Sequence, residues 1–386
     1  MDGTPIYRVP TELLSLICSD SDLSRGTLAI LSRTWCSFLA VCQRILYHTV
    51  DLSGASPRDL RSWCLAISRH KHLADRVHSL TLSLEPTVDI PPRDAVKLST
   101  AVHGCPNLKV LHVRRASGTD HSFNGDWLLG DACPFQLDAL TNGYFNFFAL
   151  RPFLATQNQL RLLAHEGGVA LVASETRNAL QAEPMGSGHD DPRPQLPALI
   201  GVKMELRNLH AASSWPIQRV EASYGGTLFG IARFEKTLTT LNLLKDYHDA
   251  GLLLKRMKEI ANILPMLVNL ALVDMPSGTP RHLPWIIAVQ SPVSLVKNFK
   301  RLETLTIVAR NVDRFGTAPD KTYHSLEDSE MRAMALATLD ALPTIRRVVI
   351  GTERLPGVER MHIAARGAET ITENEVDFDA VSMFWV

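Results

Sequence analysis

A short apolar pattern, L-x-x-L-x-L, recurs along most of the chain. Its clearest copies occupy residues 238–243, 267–272, 302–307 and 345–350, and looser copies begin at Val77, Leu108, Leu137, Leu160, Leu199 and Ile217. Successive side chains of a β-strand point to opposite faces, so alternation over a few residues is typical of a strand with one buried face. The pattern therefore predicts a series of short strands that all bury the same side.

Segments with the apolar period of an α-helix lie between these predicted strands. They cover residues 58–69, 93–103, 149–156, 251–264, 286–299 and 328–341. Pro106, Pro265 and Pro343 each precede a predicted strand. Proline ends the helix before it, because it disfavours helical geometry at the preceding residue. A strand and a helix that alternate every roughly 20–40 residues describe a repeat solenoid.

The fold class that this pattern predicts is α/β. Residues 51–386 are expected to form an irregular leucine-rich-repeat solenoid, with parallel strands on its concave face and helices on its convex face. The alternative is an ordinary α/β domain, although no Gly-rich phosphate loop follows any predicted strand. We expect mobile insertions near 183–197 and 313–329. The aromatic segment from Arg360 to Trp385 is expected to cap the last repeat, because an open solenoid end exposes apolar surface.

Residues 1–50 follow a different pattern, with apolar residues at helical spacing. Pro10 suits a helix start, since proline lacks the donor that the first turn leaves unpaired, and Ser24 or the Ser21-Asp22 pair can cap a second helix. The apolar stripes consist of Leu13, Leu14, Leu16 and Ile17, followed by Leu28, Leu31, Trp35, Phe38, Leu39 and Cys42. So short a helical segment buries little surface by itself, so it must pack on the rest of the chain or offer an apolar face to a partner.

The same segment resembles an F-box. The family's pattern is a Leu-Pro pair, an acidic residue, a short helix and a "vCrxf" centre; here Val9-Pro10, Glu12 and the run from Ser32 to Phe38 stand at these places. With its irregular repeats, the chain is similar to F-box proteins of the fungal type. The resemblance implies a three-helix module that binds a Skp-type adaptor and, through it, a cullin. The adaptor contacts that it implies are Pro10, Leu13, Leu14, Ile17, Leu28 and Leu31.

The resemblance implies that the chain is the substrate-recognition adaptor of a Skp–cullin–F-box ubiquitin ligase. The pattern directs its leucines to the core, so the residues between them face the other way and would contact a protein substrate. These candidate substrate-binding residues are Thr81, Ser83, His112, Arg114, Lys203, Glu205, Thr240, Asn242, Thr306 and Arg347. The set is polar and mixed in charge, which favours a protein or peptide ligand. The alternative is an interaction scaffold without a ubiquitin role, whose N-terminal helices only cap the repeats.

The sequence shows few signs of other chemistry. It has no Gly-x-Ser-x-Gly elbow, phosphate loop or His-Glu-x-x-His pair, so we expect no enzyme activity, cofactor or metal. The 40 basic and 40 acidic residues cancel, which argues against nucleic acid or membrane partners bound through bulk charge. The six cysteines form no C-x-x-C pair, and from the residue pattern we expect neither a signal segment nor a membrane-spanning run. We therefore expect a cytoplasmic or nuclear protein with reduced thiols.

Overall fold

The computed structural model divides the chain into two compact units, Met1–Ala198 (unit 1) and Leu199–Val386 (unit 2). The structure describes residues 10–20, 23–84, 92–115, 127–130, 132–145, 147, 149–165, 195–204, 206, 209, 215–223, 229–245, 250–274, 292–310, 328–354 and 357–376. Each unit combines a sheet of mostly parallel strands with helices that connect them.

Unit 1 begins with three helices, α1 (Thr11–Cys18), α2 (Arg25–Thr34) and α3 (Cys36–His48). Ser24 caps α2 as predicted, because its hydroxyl accepts a hydrogen bond from the Thr27 amide at 3.1 Å. The three helices enclose a core of their own, formed by Leu14, Cys18, Leu28, Val41 and Cys42. We call these three helices the N-terminal module.

A sheet of five parallel strands follows directly, in chain order. Its strands are β1 (Thr49–Leu52), β2 (Ser79–Leu84), β3 (Val110–Arg115), β4 (Ala139–Asn142) and β5 (Leu162–His165). The connecting helices are α4 (Pro57–Arg69), α5 (Lys71–Ala74), α6 (Pro92–His103) and α7 (Arg151–Thr156). Ser56 and Asp59 form a capping box at the start of α4, which satisfies amides that the first turn leaves unpaired.

Unit 2 contains six parallel strands and then two antiparallel ones. The parallel strands are β6 (Gly201–Lys203), β7 (Arg219–Ser223), β8 (Thr240–Lys245), β9 (Asn269–Asp274), β10 (Thr304–Arg310) and β11 (Arg347–Arg354). The antiparallel strands are β12 (Gly357–Ala365) and β13 (Ile371–Val376). The helices are α8 (Phe229–Ala232), α9 (Ala250–Ile263), α10 (Pro292–Val296) and α11 (Asp328–Ala341).

The leucines of the repeated pattern align in register within each unit. In unit 1 the aligned row is Leu80, Leu111, Leu140 and Leu163, and in unit 2 it is Leu241, Leu270, Leu305 and Val348; all are buried. We call this side of each sheet the leucine face and the opposite side the second face. Within each unit, each parallel strand lies beside the next one in the chain, which confirms an α/β repeat architecture.

Several elements differ from the sequence-based expectation. The expected helix 286–299 is described only as α10 and the turn after it, and β1 was not predicted at all. The expected C-terminal cap begins as a β12–β13 hairpin on the edge of β11, with Gly367 at a φ of 76° in its turn. Positive φ favours glycine there. Most of the two expected insertions and the aromatic residues from Phe378 onward lie outside the described residues.

At the expected boundary near residue 50, the N-terminal module continues directly into the sheet of unit 1. Helix α3 ends at His48 and β1 begins at Thr49, so no linker separates the N-terminal module from the sheet of unit 1. Two arginines also connect the two parts by donating to backbone carbonyls. Arg25 donates to the Thr49 carbonyl, and Arg76 donates to the Ala40 carbonyl at 3.0 Å. The module is therefore fixed on the repeats rather than tethered to them.

Candidate binding surfaces

Helix α1 divides its apolar residues between two faces. Leu14 and Cys18, four residues apart, lie in the core of the module, and Leu14 is only 3% exposed. Leu13, Leu16 and Ile17 share another face, because residues three and four apart are neighbours on a helix. They are 50%, 72% and 49% exposed. We call Leu13, Leu16 and Ile17 the α1 face.

Exposed apolar residues concentrate in the N-terminal module. Of the eleven large apolar side chains that are exposed among the described residues, five belong to its three helices and a sixth, Trp35, lies between α2 and α3. Besides the α1 face they are Ile30, Trp35 and Leu39, and the Trp35 ring lies 5.9 Å from that of Phe38. Such a concentration of exposed apolar side chains is typical of an interaction site.

The structure corrects part of the predicted adaptor surface. Leu14 and Leu28 belong to the module's own core, and Leu31 packs half-buried against it. A small three-helix module needs one stripe of each helix for itself, so these residues do not form an exposed contact surface. Pro10, Leu13 and Ile17 are exposed, and their contact with the adaptor stays a prediction. Leu16, which the sequence reasoning did not select, lies on the same face and is the most exposed of the set.

The second face of unit 1 is polar and partly accessible. Thr81 and Ser83 on β2 lie in register with His112 and Arg114 on β3. Neighbouring strands are about 4.8 Å apart and alternate residues about 6.6 Å, so the four side chains form one compact patch. Arg114 is exposed and the other three are half-buried. We call these four residues the polar patch.

Two flanking residues fix the edges of the polar patch. Thr141 on β4 lies beside His112, and its hydroxyl is 2.8 Å from the His112 Nδ1 atom. Asp51 on β1 lies beside Thr81, and its carboxylate accepts a hydrogen bond from the Ser53 amide at 2.8 Å. Hydrogen bonds from Ser53, helped by the charges of Arg25 and Arg114, hold the pKa of Asp51 below its usual value. Asp51 is therefore ionised at neutral pH.

The second face of unit 2 contains a buried ion pair. Lys203, Glu221 and Asn242 lie in register on β6, β7 and β8. The Lys203 Nζ atom is 3.0 Å from Glu221 Oε1, and the Asn242 side-chain amide donates to Glu221 Oε2 at 3.1 Å. Glu221 is fully buried. A buried carboxylate requires such partners, because an isolated charge is costly to remove from water.

The rest of that face is apolar. Leu244, Val273, Val308, Val349 and Met361 form one buried cluster, against which the half-buried Ile363 packs. Val308, at its centre, has no exposed surface. The strands β8 to β12 are therefore buried on both of their faces, which distinguishes them from β2 and β3.

Three of the predicted substrate-binding residues are too deeply buried to contact a substrate. Thr240, Asn242 and Thr306 are at most 4% exposed, and the Asn269 amide donates to the Thr240 hydroxyl at 3.1 Å. Their expected outward accessibility is wrong, because alternation tells which side of a strand a residue occupies and not whether that side is covered. Lys203 and Arg347 are half-buried, and Glu205 lies outside the described residues.

A signal for the covered face was present in the sequence. The residues between and after the leucines of β9, β10 and β11 include Ala271, Val273, Val308 and Val349. Strands that read as nearly continuous apolar runs are typically buried on both faces. In β2 and β3 the corresponding positions are polar. The residues between the leucines therefore distinguish the accessible second face of unit 1 from the covered second face of unit 2.

Burial shifts the pKa of several titratable groups among the described residues. No cluster of three or more His, Cys, Asp or Glu side chains that could hold a metal occurs among the described residues, and none of their six cysteines forms a disulfide. Burial raises the pKa of Cys64 to about 11 and that of Cys105 to about 12. Burial also lowers the pKa of His165 to about 4. No helix within the described ranges has the length and apolar content that a membrane span requires.

Comparison with known proteins adds little to this geometry. No protein-family model matches the chain, and no curated protein matches it. Among solved structures, an internalin from Listeria monocytogenes str. 4b F2365 is similar, with 14% sequence identity and a TM-score of 0.30. The match covers 74% of this chain and 78% of the internalin. A likeness of this size carries no argument about fold or function, which rest on the contacts described above.

Proposed function

We propose that this chain is the substrate-recognition adaptor of a Skp–cullin–F-box ubiquitin ligase. The observation that carries the proposal is the division of α1, in which Leu14 stabilises the module while Leu13, Leu16 and Ile17 face outward. A helix that only capped the repeats would turn its apolar residues toward them. The exposed set instead suits an apolar interface with a Skp-type adaptor, through which the chain would reach a cullin.

The energetics of the α1 face suit a stable contact. Complete burial of one leucine or isoleucine side chain contributes about 1.5–3 kcal/mol, so the residues of the α1 face together can supply a substantial part of the free energy of binding. The face belongs to a rigid element that is packed on its own core, so little conformational entropy is lost on binding. Ile30 and Trp35 offer further apolar area within the same module.

The repeats supply the second half of the proposed function. The polar patch of unit 1 would bind the protein substrate, since it is the part of the predicted substrate surface that remains accessible. The chain itself would perform no chemistry. It would hold the substrate near a recruited conjugating enzyme, because proximity and orientation lower the barrier of the transfer step. The free thiols support a cytoplasmic or nuclear location, where cysteines stay reduced.

The experiment that tests the proposal is co-purification of the full chain with the Skp-type adaptor of the same organism. The test variant is Leu13→Asp with Ile17→Asp. The matched control is Leu65→Asp with Val96→Asp, which places the same charges at exposed apolar residues of α4 and α6. We expect the test variant to bind at least 100-fold more weakly and the control to bind like the unaltered chain.

Two outcomes would contradict the ligase assignment. In the first, the folded, unaltered chain does not bind the adaptor. In the second, both double variants lose binding equally, so that charge anywhere on the helices is responsible. Either result would leave an interaction scaffold whose N-terminal helices have a structural role only. Circular dichroism of each variant shows whether it is folded.

A further inference from the structure

We propose that the polar patch of unit 1 binds an oxyanion on the protein substrate, a carboxylate or a phosphoryl group, and that Arg114 is the residue that holds it. This inference rests on the substrate-binding half of the proposed function and names the chemical class that the patch selects.

Arg114 is the central observation. Its side chain is exposed, and within the described part of the chain it makes no hydrogen bond and no ion pair. Its charge influences Asp51, whose own carboxylate is engaged by the Ser53 amide. A guanidinium presents five donors in a planar fork that matches the two oxygens of a carboxylate or phosphoryl group. Arg114 can therefore accept an external oxyanion without breaking a hydrogen bond, in competition only with its longer-range attraction to the ionised Asp51.

The neighbours of Arg114 favour the same ligand. On one side lies Ser83, in register on β2, whose hydroxyl can donate to an oxyanion held by the guanidinium. On the other side the Gly143 amide donates to the Val113 carbonyl at 2.7 Å, which places Gly143 opposite Arg114 just past the end of β4. Because Gly143 has no side chain, that position does not crowd the guanidinium.

Two residues earlier on the same strands, the side chains next to Arg114 and Ser83 are held in fixed positions. His112 is held by its contact with the Thr141 hydroxyl, and Thr81 stands beside it on β2. The parallel strands keep these side chains on rigid elements, which gives more precise placement than a loop would. The patch thus has one arginine, one neighbouring hydroxyl and two fixed polar side chains. Such a site suits a single oxyanion rather than a long acidic tract.

The alternatives on the second face fit less well. In unit 2 the corresponding cation, Lys203, is already 3.0 Å from the buried Glu221 carboxylate. The apolar cluster around Val308 is covered and offers no polar group. The geometry therefore assigns recognition of an oxyanion to unit 1.

The test measures peptide binding by fluorescence anisotropy with the full chain. Three pools of labelled octapeptides are used, random except for a central residue fixed as Glu, phosphoserine or Gln. We expect the Glu or the phosphoserine pool to bind at least tenfold more tightly than the Gln pool. The pool that binds more tightly identifies the source of the oxyanion.

Variants then assign the effect to the patch. Arg114→Ala should abolish the preference for the charged pool. Arg114→Lys should reduce it at least threefold, because lysine keeps the charge but loses the bidentate fork. Arg69→Ala is the matched control, since it removes the same charge at the exposed end of α4 and should change binding less than twofold. Equal affinity for all three pools, or an equal loss in Arg69→Ala, would overturn the proposal.

Adaptor co-purification separates this inference from the ligase assignment. Arg114→Ala should bind the Skp-type adaptor like the unaltered chain, because Arg114 lies on β3 and not on the N-terminal module. If the chain binds the adaptor but shows no preference for a charged peptide pool, the oxyanion site is contradicted and the ligase assignment still stands. An Arg114-dependent preference without adaptor binding would support the site and contradict the ligase.

Discussion

The second faces of the two units differ although their leucine faces are built alike. In unit 1, Thr81, Ser83 and His112 are half-buried polar residues and Arg114 is exposed. In unit 2, the same side of the sheet carries a buried ion pair and an apolar cluster centred on Val308. The repeated leucines therefore specify the strand and its core side, while the residues between them decide whether the other side meets water.

The largest effect is expected from placing a charge on each second face. Val308→Asp should lower the free energy of unfolding by about 4 kcal/mol or more, because it buries an unpaired carboxylate. Ser83→Asp should cost about 1 kcal/mol or less, since its side is partly accessible and Arg114 lies in register with it. Urea unfolding of both variants checks the pair of values. Similar losses would break the distinction between the two faces.

Acid should weaken unit 1 before unit 2. Burial lowers the folded-state pKa of His165 to about 4 from its ordinary value of 6.5. The unfolded chain therefore binds the extra proton first, so this contribution is complete above about pH 6.5 and is lost as pH falls toward 4. The loss amounts to about 3 kcal/mol. His48, also in unit 1, has a pKa lowered by burial and by His78, and it adds in the same direction.

Hydrogen exchange of the amides of β4 and β5, compared with those of β9 and β10, at pH 7.5 and at pH 4.5 checks this prediction. His165→Gln is the control and should remove most of the pH dependence in β4 and β5. Equal acid sensitivity of the four strands in the unaltered chain would contradict it.

The ion pair of unit 2 should contribute a smaller amount. Glu221→Gln leaves the Lys203 ammonium without its carboxylate, and we expect a loss of about 2 kcal/mol, less than for a fully buried pair because Lys203 keeps 21% of its side chain exposed. In the double variant with Lys203→Met the loss should be less than the sum of the single losses. A double-mutant cycle measures this coupling; additive losses would mean that the pair does not stabilise the face.

The smallest effect is expected at the terminal hairpin. Asp328, at the start of α11, pairs with Arg360 on β12, and the contact with Arg360 holds the pKa of Asp328 below its usual value. Both side chains are about half exposed, so Asp328→Asn should cost about 0.5 kcal/mol. Thermal unfolding at pH 7 tests this value. A loss above about 2 kcal/mol would show that the pair positions Met361 in the apolar cluster.

The sequence identified the repeats well because leucine spacing is a local signal. Helix α11 matches its predicted bounds, and each predicted strand is present, beginning two residues into its pattern. Strand β1 was missed because its sequence, Thr-Val-Asp-Leu, is too short to carry a period. Strands β12 and β13 were not predicted as strands, because their antiparallel pairing depends on the turn at Gly367 and on the free edge of β11.

The candidate surfaces were only partly predictable. Leu13 and Leu14 are adjacent leucines with the same propensity, and only the packing of α1 on α2 and α3 decides which of them faces outward. Asn242 is polar and lies on the predicted side of its strand, yet it is buried beside Glu221. Tertiary packing decides both cases, and a single sequence does not contain that information in a local pattern.

The unequal spacing of the strands has a consequence for how such a chain can change. The start of β7 follows that of β6 by 18 residues and β11 follows β10 by 43 residues, yet both pairs keep the same parallel register. Added chain between strands costs little free energy, since loop-closure entropy grows slowly with length. Ancestry in a protein of this kind would survive in the order and register of its strands after insertions have erased it from a residue-by-residue alignment.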